Sequence, residues 1–228
     1  MHSKENRPVI GTEDILLSLC NSVVEVLNVA TQSNLHYSGM VQRITKTCLK
    51  PDIGCFVLFD GGFTGLVVLN FSAAAAMEVY ETYLTSMGMA KSELASSHTA
   101  DEVGNVMGEL MNQIVGNFTG KIGRELQTHI TQNQPKMLVL SKQVMLSVDT
   151  NLDQPQARRV TFYTARNNIF YLEMAIDGTE FIKLRDFEAS EAPDPDLLIA
   201  QAAATPATSL APSTAGEDHD ELLKSLGM

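Results

Sequence analysis

The chain has 228 residues, 44% of them hydrophobic, and a formal net charge of -11. That length and apolar content suit one domain with appendages and a sizeable core. The acidic balance argues against nucleic acid or an anionic membrane as partner, because both reward neutralisation by Lys and Arg. Cys20, Cys48 and Cys55 are odd in number and lack C-x-x-C spacing, so buried thiols are expected rather than a disulfide framework or a zinc site. His2, His36, His98, His129 and His219 are scattered without an H-E-x-x-H pattern, and no metal ligand set is expected. The first apolar run, Ile15-Leu16-Leu17, follows Glu13-Asp14 and not a basic segment, so no signal peptide is read. The weakly charged stretch 53–77 is interrupted by Asp60-Gly61-Gly62, which fits paired strands better than a membrane helix. A soluble cytoplasmic protein is the expectation, and no glycine-rich phosphate loop follows a strand.

In chain order, residues 1–10 are polar and read as a flexible N-terminus. Thr12 is the expected cap of a helix carrying Ile15, Leu16, Leu19, Cys20, Val23 and Leu27 at helical spacing. Glu25 and Asn28 form an E-x-x-N pair within it, read as structural. From His36 the pattern turns β-rich: Tyr37 to Leu49, Gly54 to Phe59 and Phe63 to Phe71 are predicted as a three-strand meander. Ser72 then caps an alanine-rich helix, Ala73 to Met87, with Met77, Tyr80 and Tyr83 on its core side.

Residues 99–121 are predicted as the central helix, with Thr99 as N-cap and Glu102 completing a capping box. Glu102, Asn105, Glu109 and Asn112 recur at steps of three and four, so two overlapping E-x-x-N pairs project from one face. Gly104, Gly108, Gly116 and Gly120 lie at multiples of four. Each interior glycine costs about 1 kcal/mol against alanine, so an element packed close against that side of the helix, with Gly108 and Gly116 supporting the packing, is expected. Three further strands are predicted at Lys136 to Val148, Arg159 to Ala165 and Ile169 to Ile176, with Asn167-Asn168 as a hairpin turn. Residues 189–216, rich in Ala, Pro, Ser and Thr, read as a linker. In the last segment, 217–228, acids precede an apolar stripe of Leu222, Leu223 and Leu226, a pattern suited to folding onto a partner's groove.

Glu109-x-x-Asn112-x-x-x-Gly116-Asn117 resembles the E-x-x-N-x-x-x-G signature of the CheC/CheX family of chemotaxis phosphatases, which hydrolyse the aspartyl phosphate of a response regulator. The resemblance spans roughly residues 11–188 and implies an α+β, CheX-like domain: an antiparallel sheet of about six strands against long helices, followed by a disordered tail. It implies that Glu109 docks on a lysine of the receiver and that Asn112 holds the attacking water, with Glu102 and Asn105 as a secondary pair. Asn105 stands where the family has Asp or Ser, and in the first helix Gln32 stands where the family has glycine after Glu25 and Asn28.

The C-terminal Leu222-Leu223-Lys224-Ser225-Leu226-Gly227-Met228 resembles the CheY-binding peptide of the CheZ phosphatases, departing at Lys224 and Met228, where an acid and Phe are usual. Both resemblances imply a phosphorylated CheY-like receiver as partner, in chemotaxis or another two-component pathway, with the Mg2+ supplied by the receiver and none held by this chain. Three readings stand beside one another. The polar helix face is catalytic; or the chain is a non-catalytic receiver-binding adaptor, related to flagellar switch proteins, that captures the phosphorylated regulator without hydrolysing it; or the domain is a homodimeric structural unit with an unrelated peptide ligand, for which Asn112 would be buried.

Overall fold

The computed structural model describes residues 9–182 apart from 141, 143 and 149. The expected linker, the terminal peptide and residues 1–8 lie outside the described residues. The elements in order are β1 (Val9–Ile10), α1 (Thr12–Thr31), β2 (His36–Ile44), β3 (Thr47–Leu49), β4 (Ile53–Gly61), β5 (Gly65–Phe71), α2 (Ala73–Ser86), a 3-10 turn at Lys91–Glu93 and α3 (Asp101–Glu125). After them come β6 (Ile130–Gln132), β7 (Lys136–Val139), β8 (Leu146–Val148), β9 (Pro155–Tyr163), β10 (Ile169–Asp177) and β11 (Phe181–Ile182).

The main sheet is antiparallel throughout and runs β2-β9-β10-β5-β4, with the far edge of β4 covered by β6 along Phe59–Gly61 and by β7 along Ile53–Phe56. The α+β architecture is as expected. Alternate residues of the inner strands, such as Val67, Leu69, Leu172 and Met174, face the three helices and share one apolar core with them. Fully buried Phe118 of α3 meets Phe59 of β4 edge-on, with ring centroids 5.6 Å apart. Cys20 and Cys55 lie in this core and Cys48 is also buried. Burial pushes the Cys20 thiol up to about 12 and raises that of Cys55 as well, so neither is poised as a nucleophile.

The three-strand meander needs correction. β4 and β5 form the expected hairpin, but β2 lies at the opposite edge of the sheet, paired with β9. Its side chains are mostly exposed, and its register shifts between Tyr37 and Val41, both features of an edge strand. The chain returns from that edge through β3, which crosses the back of the sheet over β10 and β5. A crossing strand cannot exchange ladder bonds with the strands beneath it, so buried side chains substitute. Glu173 of β10 accepts from Cys48 N at 2.8 Å, and Asn70 of β5 accepts from Lys50 N at 2.7 Å while donating to Cys48 O at 2.9 Å. Arg159 pairs with the same Glu173 at 2.7 Å, so the buried carboxylate is compensated.

Two helix starts also differ from expectation. At α1 the cap is Gly11, whose N–H donates to Asp14 Oδ2 at 2.9 Å, and Thr12 is already helical and buried. At α3 the cap is Ala100, not Thr99, because the Thr99 hydroxyl is taken by Ser97 Oγ at 2.7 Å; Asp101 and Glu102 instead favour the first turn through the helix dipole. The strand predicted over 136–148 divides into β7 and β8, and β8 pairs with β3 in a separate ribbon. Ser72 caps α2 as expected, accepting from Ala75 N at 3.2 Å. The Asn167-Asn168 hairpin forms between β9 and β10, and buried Glu78 of α2 anchors it by accepting from Arg166 N and Asn168 Nδ2 at 2.9 and 2.8 Å.

Replacing Asn70 by alanine strands the buried Cys48 carbonyl of β3 and the partly buried Lys50 N–H just after it at once. Each orphaned group costs about 1–3 kcal/mol, so Asn70→Ala is expected to lower the unfolding free energy by about 3 kcal/mol, read as a lower urea midpoint at unchanged m-value.

Candidate functional site

The setting of α3 about its own axis follows from its apolar residues. Val103, Met107, Leu110, Met111, Ile114, Phe118 and Ile122 are buried at steps of three and four, and that stripe rests on the sheet and on α1. The opposite stripe must face out, and Glu102, Asn105, Glu109 and Asn112 are all exposed. Asn112 is therefore not the interior residue that a purely structural domain would require.

An open groove of about 640 Å³ runs along the first half of α3. Asp101, Asn105, Glu109 and Asn112 line its helical wall, with Gly104 and Gly108 between them. Gln134, Pro135, Met137 and Val139 form the facing wall, and Ile53 lies below. Among the lining residues there is no lysine or arginine, while Asp101 and Glu109 are acidic, so the groove suits a cation on whatever enters it. Glu102 is exposed but is not part of the lining, and so does not join Asn105 at this site. Glu109 Oε1 accepts from Gln113 Nε2 at 2.9 Å, one turn further along the helix.

The glycines do not have the packing role read from their spacing. A Cβ added at Gly104 or Gly120 would meet nothing within 4 Å, one at Gly108 would reach only Met137 Cγ at 3.5 Å, and one at Gly116 only Gln132 Nε2 at 4.0 Å. Gly108 and Gly116 thus make no close helix contact. The large apolar residues hold α3 in place, and the glycines fall at the groove or on the exposed face, where they keep the surface low beside the polar side chains. In this helix the close approach occurs at Gly123, whose added Cβ would lie 2.9 Å from Thr128 O.

Asn112 has a partner that the sequence reading missed. Gln132, the last residue of β6, donates from Nε2 to Asn112 Oδ1 at 2.9 Å and to the Asn112 main-chain oxygen at 3.4 Å. The Asn112 NH2 has no acceptor among the described residues. Pro135, also unanticipated, sits where the edge of the sheet passes from β6 to β7 and brings the chain up to the groove. The available signal was the polar run Gln132-Asn133-Gln134-Pro135, which breaks a β-prone stretch shortly after the central helix.

The other E-x-x-N pair has its polar groups consumed. Asn28 accepts from Leu35 N at 2.6 Å and donates to Leu35 O at 3.3 Å, fastening the turn after α1. Glu25 is paired with Lys121 of α3, whose hydrogen bond and charge hold the Glu25 carboxyl below the usual carboxylate range. The pair is structural, as its sequence context indicated.

Comparison with solved structures defines the fold class. The chain is similar to the chemotaxis protein CheX of Desulfovibrio desulfuricans at 16% identity, with 72% of this chain and 99% of that one covered and a TM-score of 0.60. It is similar to a CheC-like superfamily protein of a Shewanella species at 17% identity, with coverages of 72% and 98% and a TM-score of 0.59. It is also similar to the CheX of Borrelia burgdorferi solved as a CheX-CheY-BeF3-Mg2+ complex, at 14% identity, coverages of 72% and 98% and a TM-score of 0.55. The fold is that of CheX and CheC. No curated protein sequence matches the chain. Residues 6–228 match the model of a family described as a protein of unknown function, DUF3334, and the chain belongs to that family. The match extends through residues 189–228.

The different duties of the two asparagines are measurable. Asn28→Ala removes two partly buried hydrogen bonds worth about 1 kcal/mol each and is expected to lower stability by about 2 kcal/mol. Asn112→Ala, at an exposed position, should change it by less than about 1 kcal/mol. Equilibrium unfolding in urea compares them directly.

Proposed function

We propose that this protein dephosphorylates the aspartyl phosphate of a CheY-like response regulator in the cytoplasm, with Asn112 orienting the water and Glu109 docking on the receiver. The observation that carries the proposal is the state of Asn112: an exposed carboxamide held on its oxygen side, with its NH2 unused, beside a carboxylate in a groove without cations. The fold shared with CheX and CheC supports the reading, as does a neighbour of that fold solved with CheY, BeF3 and Mg2+, since beryllofluoride is a chemical stand-in for a phosphoryl group.

Hydrolysis of an acyl phosphate needs an in-line water and neutralisation of charge on the phosphoryl oxygens. The receiver supplies the second through its own Mg2+ and lysine, so this chain need add only position. The water oxygen bonds to phosphorus, the bond from phosphorus to the aspartyl oxygen breaks, the carboxylate leaves with the electron pair, and a water proton passes to the phosphate product. Asn112 can accept a hydrogen from that water through its second Oδ1 lone pair and donate through Nδ2, and neither role needs a shifted pKa. Glu109, one turn earlier, faces a receiver lysine and sets the register of docking.

The terminal peptide, with Leu222, Leu223, Leu226 and Met228 as its apolar contacts, acts as a second point of attachment. Read as a linker from its composition, the stretch of about 28 residues at 189–216 would span roughly 30 Å root-mean-square, and tethering of this kind gives effective concentrations on the order of millimolar. The competing reading, an adaptor that captures the phosphorylated receiver without hydrolysis, is favoured by one feature, Asn105 in place of the family's Asp or Ser.

Incubation with a phosphorylated CheY-like receiver is expected to accelerate phosphate release, and Asn112→Ala should reduce that acceleration by about 100-fold or more while binding persists. Stable capture without release would establish the adaptor instead. Removal of residues 217–228 should raise KM about 10-fold or more with kcat nearly unchanged; an unaltered KM would remove the peptide from the mechanism.

A further inference from the structure

We infer that Gln132 is a positioning residue for Asn112, fixing which edge of its carboxamide is presented to the groove. The inference rests on the proposed role of Asn112 and adds to it a residue on a different element.

The orientation is forced from a single fixed point. The Asn112 main-chain oxygen can only accept, so Gln132, which faces it at 3.4 Å, must turn its NH2 toward it. With Nε2 so placed, the atom of Asn112 that meets it at 2.9 Å must also be an acceptor, and that atom is Oδ1. The reversed Gln132 amide would set its oxygen against the Asn112 main-chain oxygen whichever way the Asn112 side chain turned, and against Oδ1 as well unless Asn112 also inverted. One main-chain carbonyl thereby settles both side-chain amides, and the Asn112 NH2 is directed away from Gln132. Because an amide that accepts through its oxygen becomes more polarised, its N–H donors are also strengthened.

Gln132 is not simply one more surface contact. It comes from the sheet: its register partner is Phe59 of β4, whose fully buried ring packs on Phe118 of α3, so the donor is tied to the core beneath the helix it touches. Its Oε1 is buried and has no hydrogen-bond partner among the described residues. An orphaned buried acceptor is costly, and an apolar side chain packed at the same place would not carry that cost. The NH2 end of the amide is committed to Asn112 while its oxygen end goes unpaired. Gly116, one turn past Asn112, leaves room for the arrangement, since even an added Cβ there would stay 4.0 Å from Nε2. Asn28 shows the alternative, in which both ends of the carboxamide are spent on Leu35 and nothing is left to present.

Two variants separate positioning from structure. Gln132→Ala leaves the Asn112 amide free to rotate. Gln132→Glu is nearly isosteric but can only accept, so it favours the inverted amide, with the Asn112 NH2 drawn toward Glu and Oδ1 turned outward. With phosphorylated receiver as substrate, kcat is expected to fall about 10- to 100-fold in both variants while KM stays within about twofold. In 15N-labelled protein without receiver, the Asn112 side-chain NH2 resonances, assigned by their loss in Asn112→Ala, should shift in both variants. Unchanged kcat, or a loss confined to KM, would overturn the inference, and so would Asn112 resonances that do not move. If the unmodified protein fails to accelerate phosphate release, the proposed hydrolysis fails by itself. The resonance shift then decides the Gln132 contact independently. Should Gln132→Ala not fold, Gln132→Glu carries both readouts.

Discussion

The apolar stripe of α3 pressed onto the sheet is the constraint from which the rest follows. Nine buried residues set the rotation of the helix about its axis. Once Phe118 is seated against Phe59, the face carrying Asn105, Glu109 and Asn112 has no freedom to turn inward. A site made of short polar side chains on a helix depends on this kind of rigidity, because Asn and Glu reach only a few ångströms beyond their own backbone. The groove glycines complement it. They leave the helix surface low beside the polar groups and do not admit another part of the same chain.

The two faces of the sheet solve different problems. The helical face is conventional apolar packing. The back face must carry β3 across strands with which it cannot pair, and it does so with Glu173 and Asn70, two polar side chains almost wholly buried. A buried carboxylate and a buried amide in a sheet interior would ordinarily suggest chemistry. Here every polar contact they make serves the crossing strand or the cations that compensate Glu173, so their burial is architectural.

The same four-residue pattern, E-x-x-N, occurs on two packed helices with opposite fates. On α1 the carboxylate is paired with Lys121 and the amide with Leu35, and the pattern is mortar. On α3 the carboxylate stays exposed and the amide is held from one side only. The two helices share the Glu and Asn with two apolar residues between them, and differ four residues on, at Gln32 and Gly116. What differs is what the surrounding chain brings to each helix: a tight turn in one case, a strand edge interrupted at Pro135 in the other.

Helical periodicity, read along the chain, already contained α1, α2 and α3 and the exposed polar face of α3, and the β-prone runs flanking Asn167-Asn168 contained the β9–β10 hairpin, because each depends on residues close to one another in sequence. The buried state of the three cysteines was likewise legible from their spacing and surroundings. Helix caps at Gly11 and Ala100 were not, since the competing hydrogen bonds of Asp14 and Ser97 differ little in energy from those of the expected Thr caps. The edge position of β2, the crossing of β3 and the contact between Gln132 and Asn112 were decided by the tertiary structure alone. Strand order and side-chain partnership across 20 or more positions are set by how the whole chain closes its core, and no local pattern encodes them.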